Sequence, residues 1–410
     1  MTDQATRQFI LMHRGDDVRT LALHADRYDG IDIAFAIDQI AGWQKARGKL
    51  PAWAACDDIV YPAHLALEQC SSEATANYKN RICQRLMAAL PDQDAPRTMA
   101  DLTGGLGVDF SFLATLFQRA IYIERQPDLC RCARNNFDVL HLTQTEVWEG
   151  DCLQLLEQLP PLTLLFIDPA RRDKHGQRTH AISDCTPDIL PLLPRLLQKT
   201  DLLMVKLSPM LDWHDTVRSF HSVCPGSVDE VHFVATANEC KELLVVLSRH
   251  NTRLPVRIFC ANDDSFFSTD ENTEQGAALP PLVTDVQEAE SFCWLYEPHA
   301  AIMKAGCFAS LALHFPVKAL SANSHLFLSH QQLDDFPGRR MRIVGCSTMN
   351  KRQLRRCLGE MRQANITVRN FPLSVAELRK RLHITDGGDN YLFASTIGKR
   401  DHLIFVCKKS

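Results

Sequence analysis

Between residues 98 and 249, short apolar segments alternate with segments of helical periodicity, and this alternation strongly constrains the fold. The predicted strands are 98–102, 120–124, 146–148, 162–167, 202–206, 230–235 and 243–247. Strands that alternate with helices form a mostly parallel, doubly wound α/β sheet with helices on both faces. About seven residues separate the last two strands, too few for a helical crossover. We therefore predict a terminal hairpin with one antiparallel edge strand, which makes a seven-stranded Rossmann-like core.

The regions on either side of this core have other patterns. Residues 1–95 are helical in pattern, and the segments 262–265 and 268–274 are polar and acidic, as is typical of a linker. Beyond them we predict strands at 342–344, 367–369, 391–394 and 403–406, with helices at 351–362 and 374–382 between the first three. This β-α-β-α-β-β succession indicates a small α+β domain of ferredoxin-like kind. At 410 residues the chain is long enough for two or three domains.

The charge of the chain is unevenly distributed. The formal net charge is only −4, but residues 318–410 hold 17 basic and 7 acidic residues, and residues 1–317 hold 28 and 42. A basic end of net charge +10 suits a polyanionic partner, and the acidic remainder suits a cationic ligand.

The 15 cysteines form no Cys-x-x-Cys pair, so we expect reduced thiols and no metal site. With neither a signal-peptide pattern nor a long apolar run, we expect a cytoplasmic protein without a membrane span.

A glycine-rich turn follows the first predicted strand, in the sequence ADLTGGLGVD at 100–109. It lacks the third glycine of a dinucleotide fingerprint and the Gly-Lys-Ser/Thr of a phosphate-binding loop. An acidic residue before such a turn is instead typical of proteins that bind S-adenosylmethionine, whose sulfonium and ammonium groups are cationic. A purely structural turn is the alternative. The candidate cofactor-binding residues here are Asp101, Thr103, Gly105, Gly107 and Asp109.

Further candidate residues follow the second and third strands. Glu124 lies 23 residues after Asp101, where a carboxylate can accept hydrogen bonds from both ribose hydroxyls of a nucleoside. Asp151 and Cys152 follow the third strand and are placed to meet the adenine edge, although Asp151 is also a good helix N-cap. Because ligands of open α/β sheets bind at the carboxyl ends of the strands, we expect one common site.

The fourth strand ends at Asp168, which Pro169 follows. A carboxylate at this strand end is a candidate for catalysis or for positioning the substrate, and we predict Asp168, Pro169 and Arg171 as catalytic. Arg171 and Arg172 could hold a phosphate or carboxylate of the substrate, and we assign Arg172 to substrate binding. The alternative is that these arginines form surface ion pairs with nearby aspartates. The fifth strand ends with Lys206 at the same face.

These segments resemble class I S-adenosylmethionine-dependent methyltransferases. Further segments resemble, more narrowly, a bacterial family of such enzymes with a C-terminal THUMP-like domain: residues 61–62, 68–76, 296–306 and 387–391. The resemblance covers nearly the whole chain and implies a methyltransferase core with S-adenosylmethionine as its cofactor. It implies a helical region at 1–95, the core at 96–255, a ferredoxin-like segment at 275–320 and a THUMP-like domain at 321–410. THUMP domains elsewhere bind RNA.

Two details of the resemblance concern the site. Ser72 lies in a segment similar to one that closes over the cofactor in cap guanine-N2 methyltransferases, although an N-cap is the alternative. Exocyclic-amine methyltransferases usually carry a second proline and then an aromatic residue, where this chain has Ala170 and Arg171. The sequence therefore does not identify the atom that is methylated.

The basic end places Arg352, Arg355 and Arg356 on one face of a predicted helix. Such a patch attracts phosphates regardless of base sequence. The alternative is that these arginines only form a solvated helix face without a binding role. The leading hypothesis is a methyltransferase of structured RNA, such as tRNA or rRNA, with these arginines docking the RNA. A methyltransferase of a small molecule or protein and a non-catalytic RNA-binding protein are the rivals.

Overall fold

The computed structural model describes residues 3–62, 65–90, 96–171, 182–249, 255–398 and 400–409. The chain divides into two compact units. The first consists of Met1–Asp229 and Leu243–Leu254, and the second of Glu230–Glu242 and Pro255–Ser410. No helix within the described ranges is long and apolar enough to cross a membrane.

Helices form the start of the first unit, as predicted. They are α1 (Gln4–His13), α2 (Val18–Leu23), α3 (Ile33–Lys49), α4 (Pro51–Ala54), α5 (Leu65–Gln69) and α6 (Glu73–Ala88). Side chains that precede four of them accept hydrogen bonds from first-turn backbone N–H groups and so begin the helices. These residues are Asp3, Asp17, Asp32 and Ser72.

The α/β part of the first unit follows. Its elements are β1 (Thr98–Asp101), α7 (Val108–Ala114), β2 (Arg119–Glu124), α8 (Pro127–Val139), β3 (Thr145–Glu149), α9 (Cys152–Leu155), β4 (Leu162–Ile167), β5 (Ala170–Arg171), β6 (Cys185–Thr186), α10 (Ile189–Lys199), β7 (Thr200–Leu207) and α11 (Trp213–Val223). Two further strands follow, β8 (Val228–Thr236) and β9 (Glu239–Ser248). The first unit includes β9 from Leu243 onward, whereas β8 lies almost entirely in the second unit. Each of the seven predicted strands is present. The class predicted from the strand–helix alternation is confirmed.

The sheet of the first unit runs in the order β9-β7-β4-β1-β2-β3. The pairs from β7 to β3 are parallel, whereas β9 is antiparallel to β7. β1, β2, β4 and β7 are almost entirely buried, as expected for parallel strands covered by helices on both faces. The carboxyl ends of these four strands therefore share one edge of the sheet, where the site residues lie.

The second unit corrects one expectation. A hairpin of β10 (Arg257–Asn262) and β11 (Ser265–Asp270) occupies most of the region predicted as a linker, and residues 271–274 begin the following helix. β10 also pairs in parallel with β8. Asp263 has a positive φ of 50° and makes the tight turn, so its polar character reflects turn chemistry rather than a flexible connection.

The rest of the second unit is built on a seven-stranded sheet. Its elements are α12 (Glu271–Gly276), α13 (Val286–Ser291), β12 (Trp294–Pro298), α14 (Ala300–Ala305), α15 (Phe308–His314), β13 (Lys318–Ala319), β14 (Phe327–Ser329), β15 (Gly338–Thr348), α16 (Lys351–Leu358), β16 (Asn365–Val368), α17 (Val375–Leu382), β17 (Asn390–Ile397) and β18 (Asp401–Lys409). The strand order is β13-β14-β12-β15-β18-β17-β16. The predicted β-α-β-α-β-β succession is confirmed from β15 to β18. Leu354 of α16 and Leu378 of α17 belong to the core cluster beneath this part of the sheet.

Candidate active site

The glycine-rich turn between β1 and α7 passes too close to its neighbours for side chains. A Cβ on Gly104 would lie 2.1 Å from the ring of Tyr122. Gly105 and Gly107 have φ values of +55° and +82°, which glycine adopts at little cost. The N–H groups of these three glycines are hydrogen-bonded within the protein. The turn therefore has a fixed backbone, which leads into the start of α7 at the sheet edge.

Glu124 fixes this turn from the end of β2. Its Oε2 accepts a hydrogen bond from the backbone N–H of Gly105 at 3.0 Å. Its Oε1 accepts from the N–H groups of Arg125 and Gln126 at 2.8 and 2.9 Å. Glu124 is 8% exposed. The carboxylate therefore has a defined position beside the turn.

Asp101 is a buried carboxyl among other carboxyls. It is 1% exposed, and its Oδ1 accepts a hydrogen bond from the N–H of Thr103 at 2.9 Å. Burial raises its pKa well above the ordinary value, and the negative charges of Asp109, Asp168 and Glu124 raise this pKa further. A site with this excess of negative charge favours a cationic ligand.

Asp109, in the first turn of α7, is held by groups from the helical region. Its Oδ2 accepts a hydrogen bond from the hydroxyl of Ser71 at 2.7 Å, and its Oδ1 lies 3.0 Å from Nζ of Lys79. Lys79 is completely buried. Burial alone would raise the pKa of Asp109, but Lys79, Lys206 and the Ser71 hydroxyl hold it below the ordinary value. Asp109 is therefore an ionised partner in a buried charge network.

Asp168, just beyond β4, is fixed through both its backbone and its side chain. Its backbone N–H donates to the Thr103 hydroxyl at 2.7 Å, and its Oδ2 lies 2.6 Å from Nζ of Lys206. Pro169 after it is buried. Of the predicted arginines, Arg171 contributes backbone to β5, and Arg172 lies outside the described residues.

Three other predicted residues have local structural partners. Asp151 is exposed and accepts from the N–H of Leu153 at 2.8 Å, so it caps α9, as the alternative interpretation held. Ser72 likewise caps α6. The pKa of Cys152 is raised to about 11 by burial and by Asp151, with a contribution from Asp101.

Sequence reasoning missed Lys79 and did not recognise the roles of Ser71 and Lys206. Lys79 lies on the buried face of α6, in a stripe of helical spacing. Its companions on that face include Thr75, Ala76, Ile82, Cys83 and Leu86. A lysine in the middle of such a stripe signals a buried ion pair, because lysine is rarely buried unless it is paired.

In the second unit, Arg352, Arg355 and Arg356 are exposed on α16, while Leu354 faces the core. Within the described ranges these three arginines form no ion pair. Four other arginines of this region are paired with carboxylates. These pairs are Arg339 and Arg369 with Glu297, Arg340 with Asp334, and Arg379 with Asp386. The arginines of α16 are therefore available to an anionic partner.

Comparisons with known proteins agree with this fold. Residues 338–409 match a THUMP domain-like family, and residues 294–337 match a ferredoxin-like domain family. The crystal structure of a candidate methyltransferase from Porphyromonas gingivalis W83 matches with a TM-score of 0.82 and 30% identity, covering 99% of this chain and 98% of that chain. An O-methyltransferase from Bacillus cereus in complex with SAH matches with a TM-score of 0.33 and 12% identity, covering 49% of this chain and 99% of that chain. The search of curated proteins gave no match.

The strand order and the end-to-end match with the Porphyromonas protein define a methyltransferase fold. The chain belongs to the bacterial family of class I S-adenosylmethionine-dependent methyltransferases with a C-terminal THUMP-like domain.

Proposed function

We propose that this protein is an S-adenosylmethionine-dependent methyltransferase of structured RNA, with tRNA and rRNA as the candidate substrates. The observation that carries the proposal is the meeting of Asp101, Glu124 and the glycine-rich turn at the carboxyl ends of β1 and β2. Residues 96–255 would perform the chemistry in the cytoplasm. The THUMP-like region, which we place at 321–410 after a ferredoxin-like segment at 275–320, would dock the RNA.

The residues at this edge fit S-adenosylmethionine. A Cβ on Gly105 would meet nothing closer than 3.7 Å, so the turn is open there, and the buried Asp101 favours a cation. Glu124 is placed to meet the ribose hydroxyls. The residues that we assign to cofactor binding are Ser72, Asp101, Thr103, Gly105, Gly107, Asp109, Glu124, Asp151 and Cys152. We expect Ser72 and Asp151 to act chiefly by holding the local backbone, since each accepts a hydrogen bond from a helix N–H group. Asp109 is expected to act through its contacts with Ser71 and Lys79.

Asp168, Pro169 and Arg171 are the proposed catalytic residues. When bound, the cofactor supplies an electrophilic methyl group on a positively charged sulfur. The protein's contribution is alignment: the Asp168 carboxylate accepts a hydrogen bond from the acceptor group and orients its lone pair. The buried Pro169 restricts the backbone after Asp168. Arg172 is proposed to bind a phosphate of the substrate.

The basic patch on α16 supports RNA as the substrate class. Arg352, Arg355 and Arg356 present guanidinium groups on one exposed helix face. Exposed arginines on one face bind phosphates in either single or paired strands. The match of residues 338–409 to a THUMP domain-like family also supports RNA as the partner.

Calorimetry with S-adenosylmethionine tests the cofactor assignment. We expect binding by the wild type and at least about a tenfold loss of affinity in Asp101→Ala and Glu124→Ala, since each removes a charge-assisted hydrogen bond. Asp128→Ala is the matched control, because Asp128 is an exposed carboxylate that pairs with Arg131 on α8. No binding by the wild type, or equal binding by all variants, contradicts the assignment.

A further inference from the structure

Lys206 lies between two carboxylates at the end of β7. Its Nζ is 2.6 Å from Oδ2 of Asp168 and 3.5 Å from Oδ2 of Asp109. Ile167 of β4 pairs with Val205 of β7 in parallel register. The next residue of each strand, Asp168 and Lys206, therefore lies beside the other. Lys206 is 9% exposed. Its ammonium group is thus nearly enclosed and closest to the proposed catalytic carboxylate.

Asp168 belongs to a cluster of charged groups at this edge. Asp101 is influenced by the charges of Asp109, Asp168 and Glu124. Lys79 and Lys206 act on Asp109, and Lys206 also pairs with Asp168. Four carboxyls, with Asp168 counted, thus face two ammonium groups within this described part of the site. Carboxyls that share a site suppress one another's ionisation. Lys79 and the Ser71 hydroxyl already bind Asp109, and Nζ of Lys206 lies nearer to Asp168 than to Asp109.

Asp168 is therefore held at two points. The Thr103 hydroxyl accepts its backbone N–H, and Lys206 binds its side chain. We propose that Lys206 is a positioning residue that holds the Asp168 carboxylate through this ion pair and aims it at the acceptor group. This inference rests on the proposed function. In this role Lys206 transfers no proton.

The kinetic test uses tritium-labelled S-adenosylmethionine with total cellular RNA. Lys206→Met is expected to lower kcat at least about tenfold, because the acceptor loses its aligned partner, while KM for the cofactor changes less than about threefold. Lys206→Arg, which restores the charge, is expected to recover part of the rate. Lys199→Met is the matched control, because Lys199 pairs with Glu157 away from this edge. If Lys206→Met fails to fold, Lys206→Gln keeps a hydrogen-bond donor without the charge and is expected to lower kcat in the same way.

The pH profile separates positioning from a merely structural role. Without the Lys206 ammonium group the pKa of Asp168 should rise, so the acid limb of the kcat profile should move to higher pH in Lys206→Met. A parallel arm follows the ε-carbon of Lys206 by NMR in protein labelled with ¹³C-lysine, with the resonance assigned by its loss in Lys206→Arg. In the wild type this resonance should shift as Asp168 titrates, and Asp168→Asn should abolish that shift.

The possible results distinguish a failure of the role proposed for Lys206 from a failure of the proposed function. A wild type that binds the cofactor yet labels no RNA contradicts the proposed function. A wild type that labels RNA no faster than Lys206→Met contradicts the inference alone. An unchanged kcat with a raised cofactor KM in Lys206→Met would also overturn it, because Lys206 would then act in cofactor binding. The inference is equally wrong if Asp168→Asn leaves the Lys206 resonance titrating as before.

Discussion

At the scale of single residues, a substitution at Asp101 should affect stability and cofactor binding differently. Its carboxyl is buried among other acids, so its charged form is costly before a cation binds. We predict that Asp101→Asn leaves the free energy of unfolding of the ligand-free protein at pH 8 unchanged or higher, because the amide oxygen still accepts from Thr103. Affinity for S-adenosylmethionine should fall at least about tenfold. Urea unfolding and calorimetry measure the two effects, and a clear loss of stability would contradict this account.

The raised pKa of Asp101 also predicts a pH dependence of cofactor binding. In the ligand-free protein the carboxyl holds its proton to pH values well above 3.8, and a cationic ligand favours the ionised form. Binding should therefore release a proton, and affinity should rise with pH through that pKa, by up to about tenfold per pH unit. S-adenosylhomocysteine lacks the sulfonium charge and should show a weaker dependence. Calorimetry at a series of pH values checks this, and identical slopes for the two ligands would refute it.

At the scale of elements, α6 is tied to α7 by the buried pair of Lys79 and Asp109. Lys79→Met leaves a buried carboxylate without its main counter-charge and should lower the free energy of unfolding by about 3–5 kcal/mol. The double variant Lys79→Met with Asp109→Asn removes both charges and should recover most of that loss. Denaturant titration measures both.

The matched control for this pair is Arg218→Met, which breaks an exposed pair with Asp215 on α11. It should cost less than about 1 kcal/mol, because surface pairs contribute little. If the double variant is as unstable as Lys79→Met, the loss does not arise from an uncompensated charge.

The elements themselves were largely predictable from the sequence. Apolar runs bounded by turn residues marked the strands of the α/β part, and the site acids follow from where those strands end. The hairpin of β10 and β11 was missed because its polar residues are of the types common in linkers. Phe267, which is buried in the structure, was the residue in this segment that indicated a strand. The partners of Asp109 were missed because long-range pairing depends on tertiary packing. Lys79 is 30 residues from Asp109, and only its place on an apolar face hinted at burial.

At the scale of the whole molecule, the modest net charge conceals two opposite regions. The acidic residues 1–317 contain the proposed cation site, and the basic residues 318–410 contain the patch on α16. We predict that reversing Arg352, Arg355 and Arg356 to Glu weakens RNA binding at least about tenfold near physiological salt and flattens its salt dependence, since fewer counterions are released. Filter binding against salt concentration measures both.

The control for this prediction is a second triple reversal with the same change in net charge. It replaces exposed arginines of the helical region: Arg19, Arg27 and Arg47. Binding should stay within about threefold of the wild type, because nonspecific repulsion between separated charges is screened by salt. Equal losses in the two triple variants would remove the docking role of α16.

Transfer of a labelled methyl group tests the central claim most directly. The protein is incubated with tritiated S-adenosylmethionine and cellular extract, and the RNA, protein and metabolite fractions are then separated and counted. We predict label in the RNA fraction, recovered as one methylated nucleoside, and its loss in Asp101→Asn and Asp168→Asn. Label confined to protein or metabolites, or no label in any fraction, would contradict an RNA methyltransferase.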